Sequence, residues 1–161
     1  SFARAAALNP VDSEVQIWLG RLKMMQGKPQ EAVKILEGLQ EKSEDRVALL
    51  AEGYLLLGRL PDGIRILENQ VRTDPLDLQA LLSLAQMSLL QAEPESKKLR
   101  VSEKYLKLIL SREDDYRTRG RLAMFQEKWK YPAKDADSIV ESAKSLLQQI
   151  ERKIEVLSQA S

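Results

Sequence analysis

The sequence predicts an all-α chain built from repeated helical hairpins. Three observations carry this expectation. Gly20, Gly27, Ala32 and Leu36 recur 31 residues later as Ala51, Gly58, Gly63 and Leu67. All six prolines fall at or near predicted helix boundaries, where a missing backbone N–H is tolerated best. No segment alternates apolar and polar residues with the period of a half-buried strand. The apolar content is mostly Leu, Ala, Ile and Val, with only 5% aromatics, a bias that favours helix.

The first segment, Ser1 to Pro10, reads as the last turns of a helix with Phe2, Ala5 and Leu8 on one side, stopped at Asn9-Pro10 because the residue before Pro is pushed out of the α region. A second helix is expected from Asp12 or Ser13, either of which can cap it. Val15, Trp18, Leu19, Leu22 and Met25 give it an apolar face. Gly20 lies inside this helix, where it costs about 1 kcal/mol relative to Ala, so a closely approaching partner helix is expected there. Gly27 is placed to end the helix in the left-handed conformation, and Pro29 to open the next. That next helix carries Ala32, Val33, Ile35, Leu36 and Leu39.

The second hairpin repeats the plan with Val47, Leu50, Ala51, Tyr54 and Leu57. A turn at Gly58 to Pro61 follows, then Ile64, Ile66, Leu67 and Val71, closed by Asp74-Pro75. The third begins at Asp77 with Leu78, Leu81, Leu84, Ala85 and Leu89. Its turn, Gln91 to Glu95, lacks Gly, and an insertion of roughly five residues around Pro94 to Lys98 precedes a helix carrying Val101, Tyr105, Leu106, Ile109 and Leu110. Glu113, Asp114 and Asp115 are expected to open a further helix, where acidic groups favour the N-terminal dipole. After Asp135 and Asp137 a long helix is expected to about Ser158, with Ile139, Val140, Ala143, Leu146, Leu147, Ile150, Ile154 and Leu157 apolar. This makes about nine helices, counting the truncated first one.

Composition excludes several kinds of chemistry. The 161 residues contain no Cys and no His. There is therefore no disulfide, thiol nucleophile, Ser-His-Asp triad or His-zinc site, and redox chemistry says nothing of the compartment. Lys plus Arg is 25 against 24 for Asp plus Glu, a net charge of +1, which gives no bulk attraction to nucleic acid or membrane. No apolar run approaches the roughly 20 residues of a membrane span. The seven glycines are scattered at turns and packing points, without a phosphate-binding pattern. The chain opens at Ser1, without Met and inside a motif, and is expected to be part of a longer protein.

Leu19-Gly20, Gly27, Ala32 and Leu36, then Leu50-Ala51, Tyr54, Gly58, Gly63, Leu67 and Pro75, resemble the tetratricopeptide repeat (TPR), whose unit is a helical pair of about 34 residues. The resemblance extends through Leu84, Ala85, Ser102, Leu106 and Ile109 across the insertion. It implies a right-handed α-solenoid over residues 1–111, with a half-unit at 1–10 and units at about 13–43, 44–77 and 78–111. A non-repeat C-terminal helical extension, 112–161, follows as a cap. One hairpin cannot bury its own apolar face, so neighbours stack.

By the resemblance, the first helix of each unit lines a concave groove. The exposed groove set is expected to be Trp18, Arg21 and Met25 from the first unit, Leu49, Glu52 and Leu56 from the second, and Ser83, Gln86 and Leu90 from the third. The implied function is non-catalytic binding of a protein or peptide segment by a scaffold or assembly adaptor, with no cofactor. Self-assembly within a larger solenoid and a regulatory region of a multidomain enzyme are the alternatives. Packing, or cover by the C-terminal helix, is the plainer role for Leu49, Leu56 and Leu90. A clamp for a terminal carboxylate, which some TPR co-chaperones build from Lys and Asn, is not expected where Arg21, Leu49, Glu52 and Ser83 stand. Arg117, Arg119 and Arg121, with Arg112, Lys128 and Lys130 nearby, form either a basic docking patch or a solvated face paired with neighbouring acids. Glu113 to Asp115 and Asp135 with Asp137 lack metal-loop spacing, and helix capping accounts for both. The final helix either caps the stack or offers its stripe to a partner.

Overall fold

The structure is a computed structural model that describes residues 10–40, 43–126 and 136–160, with side chains for 13–40, 43–121 and 136–160. Among the described residues there are seven helices and no strand. They are α1 (Pro10–Met25), α2 (Pro29–Glu37), α3 (Glu44–Leu56), α4 (Leu60–Thr73), α5 (Leu78–Ser88), α6 (Glu95–Gln126) and α7 (Ala136–Gln159). The expected half-unit helix at residues 1–9, Asp135, and the side chains of Lys128, Trp129 and Lys130 lie outside the described residues. The chain forms two compact units, one up to Gln70 and one from Val71 onward.

In the first unit, α1 packs on α2, α2 on α3, and α1 meets α3. The turns follow from two glycines. Gly27 and Gly58 have φ of 73° and 72°, which an L side chain adopts with difficulty. At each, the glycine N–H bonds three residues back, to Met24 and Leu55. The following N–H bonds five back, Lys28 to Lys23 at 2.9 Å and Arg59 to Tyr54 at 2.8 Å. This pairing ends a helix and satisfies its last carbonyls. Pro29 then starts α2 at once. Inside α1, a Cβ on Gly20 would lie 2.9 Å from the Leu36 side chain, so the expected close approach is present. The core joins Val33, Leu36, Leu39, Leu49, Leu50 and Tyr54, with Ile66 of α4 against it. Leu39 lies beyond the end of α2 but is still buried. Ser43 caps α3 by accepting a bond from the Arg46 N–H, and the Arg46 side chain donates to the Leu36 carbonyl at 2.9 Å.

A polar cluster ties this unit together. The Tyr54 hydroxyl donates to Glu37 Oε1 at 2.7 Å, Arg59 lies over the Tyr54 ring at 4.6 Å, and Arg59 Nε donates to Asp62 at 2.9 Å. Burial, and then the Glu37 carboxylate, push the Tyr54 hydroxyl from 10.0 up to about 12. Its proton is held more tightly in the folded chain than in the unfolded one. The stabilisation is therefore fully present below pH 10.0 and is lost as pH rises through about 12. Tyr54→Phe is expected to flatten this alkaline limb in a pH series of thermal unfolding midpoints. An equally steep limb in the variant would assign the alkaline loss to other groups.

The second unit repeats the packing scheme with α5 on α6, α6 on α7, and α5 meeting α7. Asp77 caps α5 by accepting from the Ala80 N–H at 3.0 Å. Ser102 of α6 is fully buried and its hydroxyl donates to the Ala85 carbonyl at 2.8 Å. Two small residues here bring the helices together, as Gly20 does against Leu36 in the first unit. One core runs from Leu78, Leu81 and Ala85 through Leu99, Leu106 and Ile109 to Ile139, Ala143, Leu147 and Ile150.

Three expectations are corrected. α1 begins at Pro10 rather than Asp12 or Ser13, because Pro suits the first helical position. The inserted residues after Pro94 are not loop: Glu95 to Lys98 form the first turn of α6. Glu113, Asp114 and Asp115 do not open a helix, since α6 runs unbroken for 32 residues. Nothing between Leu110 and Tyr116 breaks a helix, and Glu113 is paired four residues on with Arg117 at 2.9 Å.

Candidate functional site

The first-helix positions separate by burial. Trp18 and Met25 on α1 are 65% and 79% exposed, and Leu56 on α3 and Leu90 after α5 are each 59% exposed. Glu52 and Gln86 are exposed, and Arg21 and Ser83 are half-buried. Leu49 departs from the expectation, being only 8% exposed. It occupies the repeat position of Trp18, but in α3 that position meets the preceding hairpin and joins the cluster of Val33 and Leu36. Arg21 stands over the Trp18 ring, 5.1 Å from its centroid, which presents a cation and an aromatic edge together. Val15 and Leu22, read from the sequence as part of one apolar face, are also exposed. With Trp18 and Met25 they form a stripe at spacings of three, four and three along α1, apart from the buried side at Gly20.

In the second unit the exposed positions do not stand alone. Gln86, Leu89 and Leu90 face Glu141, Ser142, Ser145, Leu146 and Gln149 of α7 across a trough of about 640 Å³. Of the α7 wall, only Leu146 is expected from the sequence, as part of the apolar stripe of the final helix. The wall's signal was Ala143, a fully buried small residue on the apolar side of the helix, comparable to Gly20, Ala51 and Ala85. That residue lets α7 pack on α6 as α3 packs on α2, so α7 takes the place of a further first helix. The trough is a mixture of amide, hydroxyl and Leu side chains with one carboxylate. That arrangement can hold a chain segment by hydrogen bonds and apolar contact.

The basic residues of α6 are engaged inside the chain. Arg117 pairs with Glu113 and with Asp137 of α7, both at 2.9 Å, and these two carboxylates, Glu113 first, raise its pKa further. Arg119 meets Asp74 at 2.6 Å and donates to the Leu76 carbonyl. Arg112 donates to the Pro75 carbonyl at 2.9 Å, and Arg121 to the Thr118 hydroxyl at 3.2 Å. Glu113 is one of the partners expected from sequence, whereas Asp74 and Asp137 are not. Among the described residues no helix is long and apolar enough to cross a membrane.

Compared by sequence, the chain matches no family model and no curated protein. Compared by fold, it is similar to PcrH from Pseudomonas aeruginosa, with a TM-score of 0.61 at 11% identity, covering 89% of this chain and 94% of that one. It is also similar to MamA, with a TM-score of 0.55 at 16% identity, covering 98% of this chain and 87% of that one. The chain is all-α and has the fold of the TPR-type helical solenoids.

Proposed function

We propose that this chain is a non-catalytic protein-binding module, a scaffold or assembly adaptor that buries a partner segment against its first helices. The observation that carries the reading is the exposure of large apolar side chains at groove positions: Trp18, Met25, Leu56 and Leu90. Exposed apolar side chains of this size mark interaction sites, and aromatic residues with Arg beside them are the usual anchors. Trp18 and Met25 serve as apolar anchors. Arg21, Glu52 and Gln86 fix orientation, and Ser83 adds a hydroxyl. The absence of His and Cys fits a role without catalysis.

The stripe of Val15, Trp18, Leu22 and Met25 supports a second reading, in which α1 packs against another copy of the chain. One experiment separates the two. Trp18→Ala combined with Leu56→Glu is expected to weaken retention of the native partner by about tenfold or more, with helical content and the unfolding midpoint preserved. Unchanged retention overturns the groove assignment. Light scattering on both proteins identifies the other case: a dimer broken by the double substitution assigns the face to self-assembly.

A further inference from the structure

A second concavity lies further along α7, past the trough. It is a cleft of about 280 Å³ lined by Glu95 and Leu99 of α6 and by Arg152, Lys153, Val156 and Leu157 of α7. The volume falls just under the range of about 300–1,000 Å³ typical of small-molecule pockets, and it suits an anchoring side chain better than a whole metabolite. Leu99 is buried, while Val156 and Leu157 are exposed.

The charge around this floor is one-sided. Arg152 and Val156, like Lys153 and Leu157, are four apart and share a helix face. Glu151 and Glu155 fall on other sides of α7. Neither Arg152 nor Lys153 has an ion-pair partner among the described residues. The carboxylate on the opposite rim, Glu95, is occupied by Lys98 at 3.1 Å. The net charge of the chain is only +1, so this rim is local and not a sample of a basic surface.

We infer that the cleft docks an acidic peptide segment: one large apolar side chain enters between Leu99, Val156 and Leu157, and flanking Asp or Glu residues pair with Arg152 and Lys153. A nucleic acid fits less well, because the floor is aliphatic and has no ring for a base to stack on. An anionic membrane fits less well too, because the basic face here is only Arg152 and Lys153, short of the Lys/Arg-rich polar face that such a helix presents. The site shares no residue with the groove, so its failure would leave the reading above untouched.

The test uses the full chain and a fluorescein-labelled peptide in which one Leu is flanked on both sides by Asp and Glu, followed by anisotropy. Saturable binding is expected that weakens with added salt. It should also weaken about tenfold in the Arg152→Glu, Lys153→Glu variant, and comparably when the probe's Leu becomes Ser. Trp18→Ala is expected to leave it unchanged. Equal binding of a probe with Lys in place of its acids, or no saturable binding of the acidic probe, overturns the proposal. So does binding to phosphatidylserine vesicles that outcompetes the probe and is lost in the same charge-reversed variant.

Discussion

Ile150→Ala is expected to destabilise the second unit by about 2–5 kcal/mol, the range for truncating a large buried aliphatic residue. Ile150 is almost fully buried in the cluster that holds Leu81, Leu106 and Ile109 as well as Ile139, Ala143 and Leu147 of its own helix. The cavity would open among residues of three helices packed in one core. Val156→Ala on the same helix is the control. That side chain is 64% exposed, and its loss should stay within about 0.5 kcal/mol. Urea unfolding followed by circular dichroism compares the two. Equal, small shifts would mean that α7 is an appendage and not part of the core.

Gly53→Ala should cost up to about 2 kcal/mol although Ala is the better helix former. A Cβ at this position would lie 2.5 Å from Val33 Cγ2. Val33 is buried and β-branched, so it has few rotamers into which to retreat. Overpacking of this kind costs about 1–3 kcal/mol, more than the roughly 1 kcal/mol of helix propensity gained. Val33→Ala alone also destabilises, by loss of buried methyl groups. In the double variant the added methyl occupies the space released. The losses should then fall short of their sum by about 0.5–3 kcal/mol. Strict additivity in chemical denaturation would sink this account of Gly53.

Much of the fold was legible because the repeat is written in residues with one physical use. Gly27 and Gly58 supply left-handed turns, and Gly20 with Leu36 supplies a close helix contact, each within its own hairpin and all at fixed spacing. Gly53 was not legible. Its counterpart 31 residues earlier is Leu22, which is 47% exposed, and the need for Gly comes from the neighbouring hairpin. Leu49 was misplaced for the same reason. It shares a repeat position with exposed Trp18, yet contact with Val33 and Leu36 buries it. A sequence period reports what each unit does for itself and not what its neighbour does to it. The α7 wall of the trough was legible only at Leu146, because α7 keeps the small residue, Ala143, but lacks the paired turn that makes the motif recognisable. The helix boundary expected at Glu113 rested on dipole complementarity, but an acid inside a helix is accommodated equally well by a pair four residues on, as Glu113 is with Arg117.

α6 has 32 residues against 11 in α5. Two helices so unequal can be slid past each other by one turn, about 5.4 Å, and still bury a comparable apolar stripe. The short stretch from Asp74 to Leu76 discriminates among those settings. Arg112 donates to the Pro75 carbonyl, and Arg119 engages Asp74 and the Leu76 carbonyl. Both sets of bonds close together at one axial position only. Together with the buried Ser102–Ala85 bond, the stretch fixes where along its length the long helix comes to rest.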